Sequence, residues 1–248
     1  MPQLPFYDLE NVFGFQPKDF YQTNSSKEEK AFREALLVLA LIFNDLKDLT
    51  FLLLRFDSFA PPNRKSVTRY NGQFSAMHLH IQRVIIGTFF EVLEFIQSEN
   101  KVLRSERFDN LVSKLKKHHR EKWLELLDLA ESKHTKAHPL YQTLLLLRNN
   151  LGFHYSGPWL GQGFNHFFPK RQSECCMSPG ETWSKTRFYF ADAAVQGKIM
   201  QFVPDWRSFH DTLGNYVGEL AGAIGNILMT FFREERIPLR KTDIPQGP

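Results

Sequence analysis

The chain has no apolar run long enough to cross a bilayer. Its longest wholly apolar stretch, Ala35 to Phe43, stops at Asn44-Asp45, whereas a transmembrane helix needs about 20 apolar residues. Cysteine is nearly missing. The only two, Cys175 and Cys176, are adjacent, which excludes a long-range intrachain disulfide framework. The opening residues, Met1-Pro2-Gln3-Leu4-Pro5-Phe6-Tyr7-Asp8, carry neither the basic region nor the apolar core of a secretory signal. No repeat, low-complexity tract or strong linker divides the chain. Metal-ligand motifs are also lacking. His78 and His80 are two apart and so lie on different helix faces. His134 and His138 are four apart, but Pro139 favours a helix start there and leaves His138 outside a helix. Gly161-Gln162-Gly163 has no strand-turn-helix setting and is not a dinucleotide fingerprint. These absences predict a cytoplasmic protein with no membrane span, no metal and no cofactor.

What is present suits a globular protein. Of 248 residues, 42% are hydrophobic, 24 are phenylalanine, and the mean hydropathy is −0.35. The net charge of +4 and isoelectric point near 9.0 are compatible with nucleic acid without being diagnostic. Positive charge concentrates between Lys114 and Lys122, where Lys114, Lys116, Lys117, Arg120 and Lys122 face one acid, Glu121, for a local +4 over nine residues. Two readings of this run stand side by side, a solvated helical turn and a patch that contacts phosphates.

The hydrophobic period is helical almost throughout. Residues 1–24 form an arm expected to pack through Phe6, Phe13, Phe15 and Phe20. Ser25-Ser26-Lys27-Glu28-Glu29 offers a capping box in either of two registers. Phe32, Leu36, Leu39, Phe43, Leu46, Leu49 and Leu53 then mark a long helix over about residues 27–56. A second long helix is expected at about 73–98, shorter ones at 105–117 and 120–132, a further helix starting at Pro139, and a final one at about 205–235 capped by Asp205. Between them, residues 156–204 are rich in Gly and Pro. They read as an irregular insertion, with strands at Arg187–Phe190 and Ile199–Val203 as a candidate β-hairpin. That insertion is either an aromatic-packed cover on the core or a surface that stacks single-stranded RNA. In the final helix Gly214, Gly218 and Gly222 recur every four residues. Each costs about 1 kcal/mol relative to alanine, so the stripe predicts close approach of another helix, within the chain or across a dimer. The expected fold is thus all-α: an antiparallel helical bundle in a single domain over 1–248, with core helices in 27–155 and 205–236.

The stretch that stands out is Leu144-Leu145-Leu146-Leu147-Arg148-Asn149-Asn150-Leu151-Gly152-Phe153-His154-Tyr155. An apolar helix ends by acquiring an Arg-Asn pair, with a histidine six residues after the arginine and Gly157-Pro158 beyond. On an unbroken helix six residues advance about 9 Å and about 240°, so Arg148 and His154 would not stack. One reading is a core-facing His154 near a helix C-terminus. The other is chemical. Arginine, a polar residue and a histidine at this spacing resemble the signature of the HEPN superfamily, in the abortive-infection or toxin type. The resemblance covers roughly residues 27–155 and 205–236.

The HEPN resemblance implies a metal-independent endoribonuclease in which the ribose 2′-hydroxyl attacks the neighbouring phosphorus. It assigns proton transfer to His154, phosphate contact to Arg148 and an orienting hydrogen bond to Asn149, with Tyr155 as an RNA contact beside Lys114, Lys116, Lys117 and Arg120. An imidazole titrates near neutral pH and a guanidinium grips phosphate oxygens in pairs, so the residue types suit the task. The family's sites are usually shared across a homodimer, which would also resolve the angular offset. RNA, a second copy and a cognate antitoxin are the partners it implies, in toxin–antitoxin or antiphage defence. The competing class is a non-catalytic module of the same fold that binds RNA or a protein.

Overall fold

A computed structural model describes residues 12–21, 25–63, 69–135, 138–149, 157–171, 175–182 and 185–241. Within these, the chain is an all-α helical bundle. Its elements are β1 (Phe13–Gly14), α1 (Pro17–Phe20), α2 (Lys27–Asp57), α3 (Arg69–Ser98), α4 (Asn100–Leu103), α5 (Glu106–Ser113), α6 (Lys117–Thr135), α7 (Pro139–Leu147), α8 (Gly157–Arg171), α9 (Tyr189–Phe202), α10 (Trp206–Glu234) and β2 (Arg240–Lys241). Among the described residues no helix is long and apolar enough to cross a membrane.

The helix starts follow from their caps. Ser26 accepts a hydrogen bond from Glu29 N at 3.1 Å, Ser105 from Phe108 N at 3.4 Å, and Asp205 from Ser208 N at 3.0 Å. Each satisfies one orphan amide and contributes about 1 kcal/mol. Three long helices carry the core. Helices α2 and α10 run antiparallel, so that Phe32 meets Phe231 while Phe43 meets Gly225. Their buried stripes, including Leu36, Leu39, Ile224 and Ile227, join Phe89 and Leu93 of α3. Helix α6 closes one side through Trp123, fully buried and stacked on Phe108 at 5.6 Å.

Segment 156–204 departs from its sequence reading. Among its described residues, two helices, α8 and α9, flank an irregular connection, and the residues expected to form strands lie largely within α9. Pro158 occupies the first turn of α8, where its missing N–H costs nothing. Gly163 and Gly197 are not helix breakers but the crossing point of α8 and α9. A Cβ built on Gly163 would fall within van der Waals contact of Ala194 O, and 2.8 Å from Lys198 Cβ. Close packing of two backbones therefore outweighs the helix penalty of glycine. The connection between them has one antiparallel bridge, Ser178 to Arg187.

The glycine stripe of α10 behaves the other way. Among the described residues nothing approaches within 4 Å of a Cβ on Gly214 or Gly218, and Gly222 meets only the ring of His119 at 3.5 Å. The close approach expected within the chain is not at these positions.

The arm packs as expected through Phe15 and Phe20, but Phe13, also expected to pack, is exposed on the two-residue strand β1; Phe6 lies outside the described residues. Phe20 sits 5.6 Å edge-on to Phe231, and Phe15 lies 5.2 Å from Phe232. β1 pairs antiparallel with β2, Phe13 opposite Lys241 and Gly14 opposite Arg240. Beneath them Arg33 and Arg107 share Glu235 at 2.9 and 2.8 Å, and both also pair with Glu29.

Candidate functional site

Helix α7 carries the first part of the motif. Pro139 starts it, with extended His138 before it. Leu140, Tyr141, Leu144 and Leu147 are buried. Tyr141 donates its hydroxyl to Glu94 of α3 at 3.0 Å. Burial, with Glu94 accepting its proton, pushes the phenol well above its ordinary range.

At the end of this apolar face the chain turns polar. Arg148 caps α7, and its guanidinium leaves the core. Nη2 donates to Glu91 Oε1 at 3.1 Å, Nη1 donates to Asn149 Oδ1 at 3.2 Å, and the ring of Phe90 lies 5.4 Å beneath. The side chain is 34% exposed and Glu91 61% exposed, so the pair contributes no more than about 1 kcal/mol to stability. A guanidinium has five N–H donors, and these contacts occupy two. Among the described residues Arg148 is therefore braced by three neighbours, with donors to spare. Residues 150–156 lie outside the described residues, and with them His154 and Tyr155.

The basic run maps to the corner between α5 and α6, facing α10. There it meets acids. Lys114 is ion-paired with Glu234, and Lys117 lies 3.7 Å from Glu121. His118 approaches Glu219 at 2.6 Å, and Lys122 lies 2.9 Å from Glu125. The Lys122 ammonium holds the Glu125 carboxyl below its usual range, and the hydroxyl of Tyr216, donating at 2.8 Å, adds to this. The same hydrogen-bonded arrangement, together with burial, lifts Tyr216 to about 12. Lys116 and Arg120 remain exposed. The free positive charge is thus narrower than the sequence count suggests. Among the described residues no ion pair or hydrogen bond links this corner to Arg148.

Sequence reading missed Glu91, which lies across from Arg148 on a different helix. It also missed a large cavity. This opening of about 590 Å³ lies between the first half of α3, α9 and the start of α10, reaching the end of α2. Phe74, His78 and Gln82 recur every four residues and present one face of α3 to it, while Trp206 and His210 do the same from α10. That spacing was legible, but apolar neighbours in the same turns concealed it. Nine residues, about 13 Å along α3, separate Gln82 from Glu91.

Comparison with known proteins returned no match: no family model, no curated protein and no solved structure matches the chain.

Proposed function

We propose that this chain is a metal-independent endoribonuclease of HEPN type, with Arg148, Asn149 and His154 as its reacting residues. The observation that carries the reading is the setting of Arg148. A helix with one buried face, Leu140, Tyr141, Leu144 and Leu147, ends in a guanidinium that is one-third exposed and held by Glu91, Asn149 and Phe90. Such bracing reduces the entropy lost when phosphate oxygens bind.

In the proposed reaction the 2′-oxygen forms a bond to the adjacent phosphorus, and the bond from phosphorus to the 5′-oxygen breaks. The products are a 2′,3′-cyclic phosphate and a 5′-hydroxyl. An imidazole of His154 takes the 2′-hydroxyl proton, and an imidazolium returns one to the leaving oxygen. Two copies of the motif in a homodimer supply both. Arg148 offsets charge on the phosphoryl oxygens, Asn149 orients it, and Tyr155, Lys116 and Arg120 hold the strand. Lys114 and Lys117 take part only if RNA displaces their carboxylates. A toxin or antiphage role with a cognate antitoxin belongs to the same proposal.

The test is incubation of total RNA with the protein in EDTA. Cleavage should occur. His154→Ala should lower it by about 10²- to 10⁴-fold, and Arg148→Ala by about 10²- to 10³-fold, both with unchanged melting temperature. Parent protein that leaves RNA intact overturns the reading.

The ion pairs favour one second reading, a non-catalytic helical module. If the Arg148–Glu91 pair and the acids facing Lys114 and Lys117 are purely structural, the variants change stability by about 1 kcal/mol or less and no RNA is cut.

A further inference from the structure

We propose that the cavity between α3, α9 and α10 is a seat for a nucleobase bearing an exocyclic amine, as in adenine or cytosine. The proposal does not depend on the cleavage chemistry, because it rests on different residues.

The first observation is Gln82. It is 5% exposed and lines the cavity. Its carboxamide offers a donor beside an acceptor, which matches the edge of a base where an amine adjoins a ring nitrogen. The second is Asp57. Its Oδ1 lies 3.2 Å from His78 Nε2, but the ring is poorly aligned, and Oδ1 is buried with no hydrogen bond made. A carboxylate only accepts, so this oxygen calls for an N–H donor. An exocyclic amine provides two.

The third is shape. A ladder of rings borders the space: Phe56 lies 4.9 Å from Phe74, Phe74 5.7 Å from His78, and His78 6.1 Å from His210. Trp206, one turn before His210, joins the wall. A flat heteroaromatic ring can extend such a stack.

Charge decides which part of a nucleotide enters. Asp57, Asp192 and Asp211 line the cavity against one arginine, Arg207. Asp192 is already held by Arg187 at 3.1 and 3.3 Å. The remaining excess is negative, so a phosphate is disfavoured inside and the base is admitted.

The experiment is calorimetric titration of the full chain with adenosine, cytidine, uridine and adenosine 5′-monophosphate. Adenosine or cytidine should bind at least about tenfold tighter than uridine, which lacks the amine and would leave Asp57 unpaired. The monophosphate should bind more weakly than adenosine. Gln82→Met and Asp57→Asn should each weaken binding about tenfold or more, while Arg148→Ala leaves it unchanged. Melting curves check that each variant is folded. Absence of nucleoside binding, equal binding of uridine, or binding unaffected in folded Gln82→Met and Asp57→Asn would overturn the proposal. Titration with hexameric oligoadenylate then separates the sources. Affinity above adenosine's assigns the seat to an RNA strand, and affinity equal to or below it assigns a free nucleoside; either supports the seat. If total RNA survives the cleavage assay while adenosine binds, the nuclease reading fails and the base seat stands.

Discussion

Gly163→Ala and Gly161→Ala, two residues apart on one helix, should shift stability in opposite directions. Both exchange glycine for alanine in α8, and on propensity alone each gains about 0.5–1 kcal/mol. Their surroundings differ. Nothing lies within 4 Å of a Cβ on Gly161, so that variant keeps the gain. A Cβ on Gly163 meets Ala194 O, with Lys198 Cβ at 2.8 Å and Lys198 N at 2.9 Å. Two of these neighbours are backbone atoms of a packed helix and cannot swing away. Helices α8 and α9 must then separate, loosening the Trp159–Phe202 stack at 6.2 Å and the hydrogen bond from Lys198 to Gln162 at 2.6 Å. Overpacking of this kind costs about 1–3 kcal/mol. The two variants should differ by about 1–3 kcal/mol, or about 0.5–1.5 M in urea midpoint for a slope near 2 kcal/mol/M. Urea unfolding followed by circular dichroism reads this directly. If Gly163→Ala has the midpoint of Gly161→Ala or higher, the helices do not cross at these glycines.

Three further outcomes follow from the same structure. Gly218→Leu, on an open face, should leave the urea midpoint unchanged or raised in dilute protein, whereas a midpoint lowered only at high concentration would reveal a partner helix seated there. Burial pushes the Lys198 ammonium below 10.5, so its cost to folding is present at neutral pH and relieved as pH rises through the folded value toward 10.5. Parent stability should therefore gain on that of Lys198→Met as the pH rises from neutral toward 10.5, and parallel pH curves would contradict the buried charge. For RNA affinity, Lys116→Ala with Arg120→Ala should flatten the salt dependence by about two phosphate contacts, while Lys114→Ala should change it little because Glu234 already pairs that ammonium. Equal slopes for all of them would mean that the corner does not touch RNA.

The bundle was legible because its helices signal themselves locally. Ser26 and Asp205 cap where the sequence placed caps, and Pro139 opens α7. The expected helix at about 27–56 is observed over Lys27–Asp57. Helices α8 and α9 were illegible for the opposite reason. Glycine and proline normally punctuate a chain, and only the neighbouring helix reveals that Gly163 and Gly197 serve a close crossing. In the same way the α10 glycines suggested a contact that the described fold leaves open. At the candidate site, Arg148 and Asn149 could be read from spacing. Glu91, 57 residues earlier than Arg148, could not, since its role exists only once α3 and α7 pack together. The charge run was visible as a count, but the acids of α10 that offset it were not.

The β1–β2 pair also sets how the molecule bears load. Phe13 faces Lys241 and Gly14 faces Arg240 in antiparallel register, so Phe13 and Lys241 lie at the same end of the pair. A force drawing those two residues apart acts along the hydrogen bonds and opens them one after another, as a zipper parts, rather than shearing them together. The next resistance is the cluster of Arg33, Arg107, Glu29 and Glu235. Beyond it α2 and α10 would peel apart from one end of their shared seam, where Phe32 meets Phe231. In a force spectrum, the first yield should be low and should leave the bundle intact.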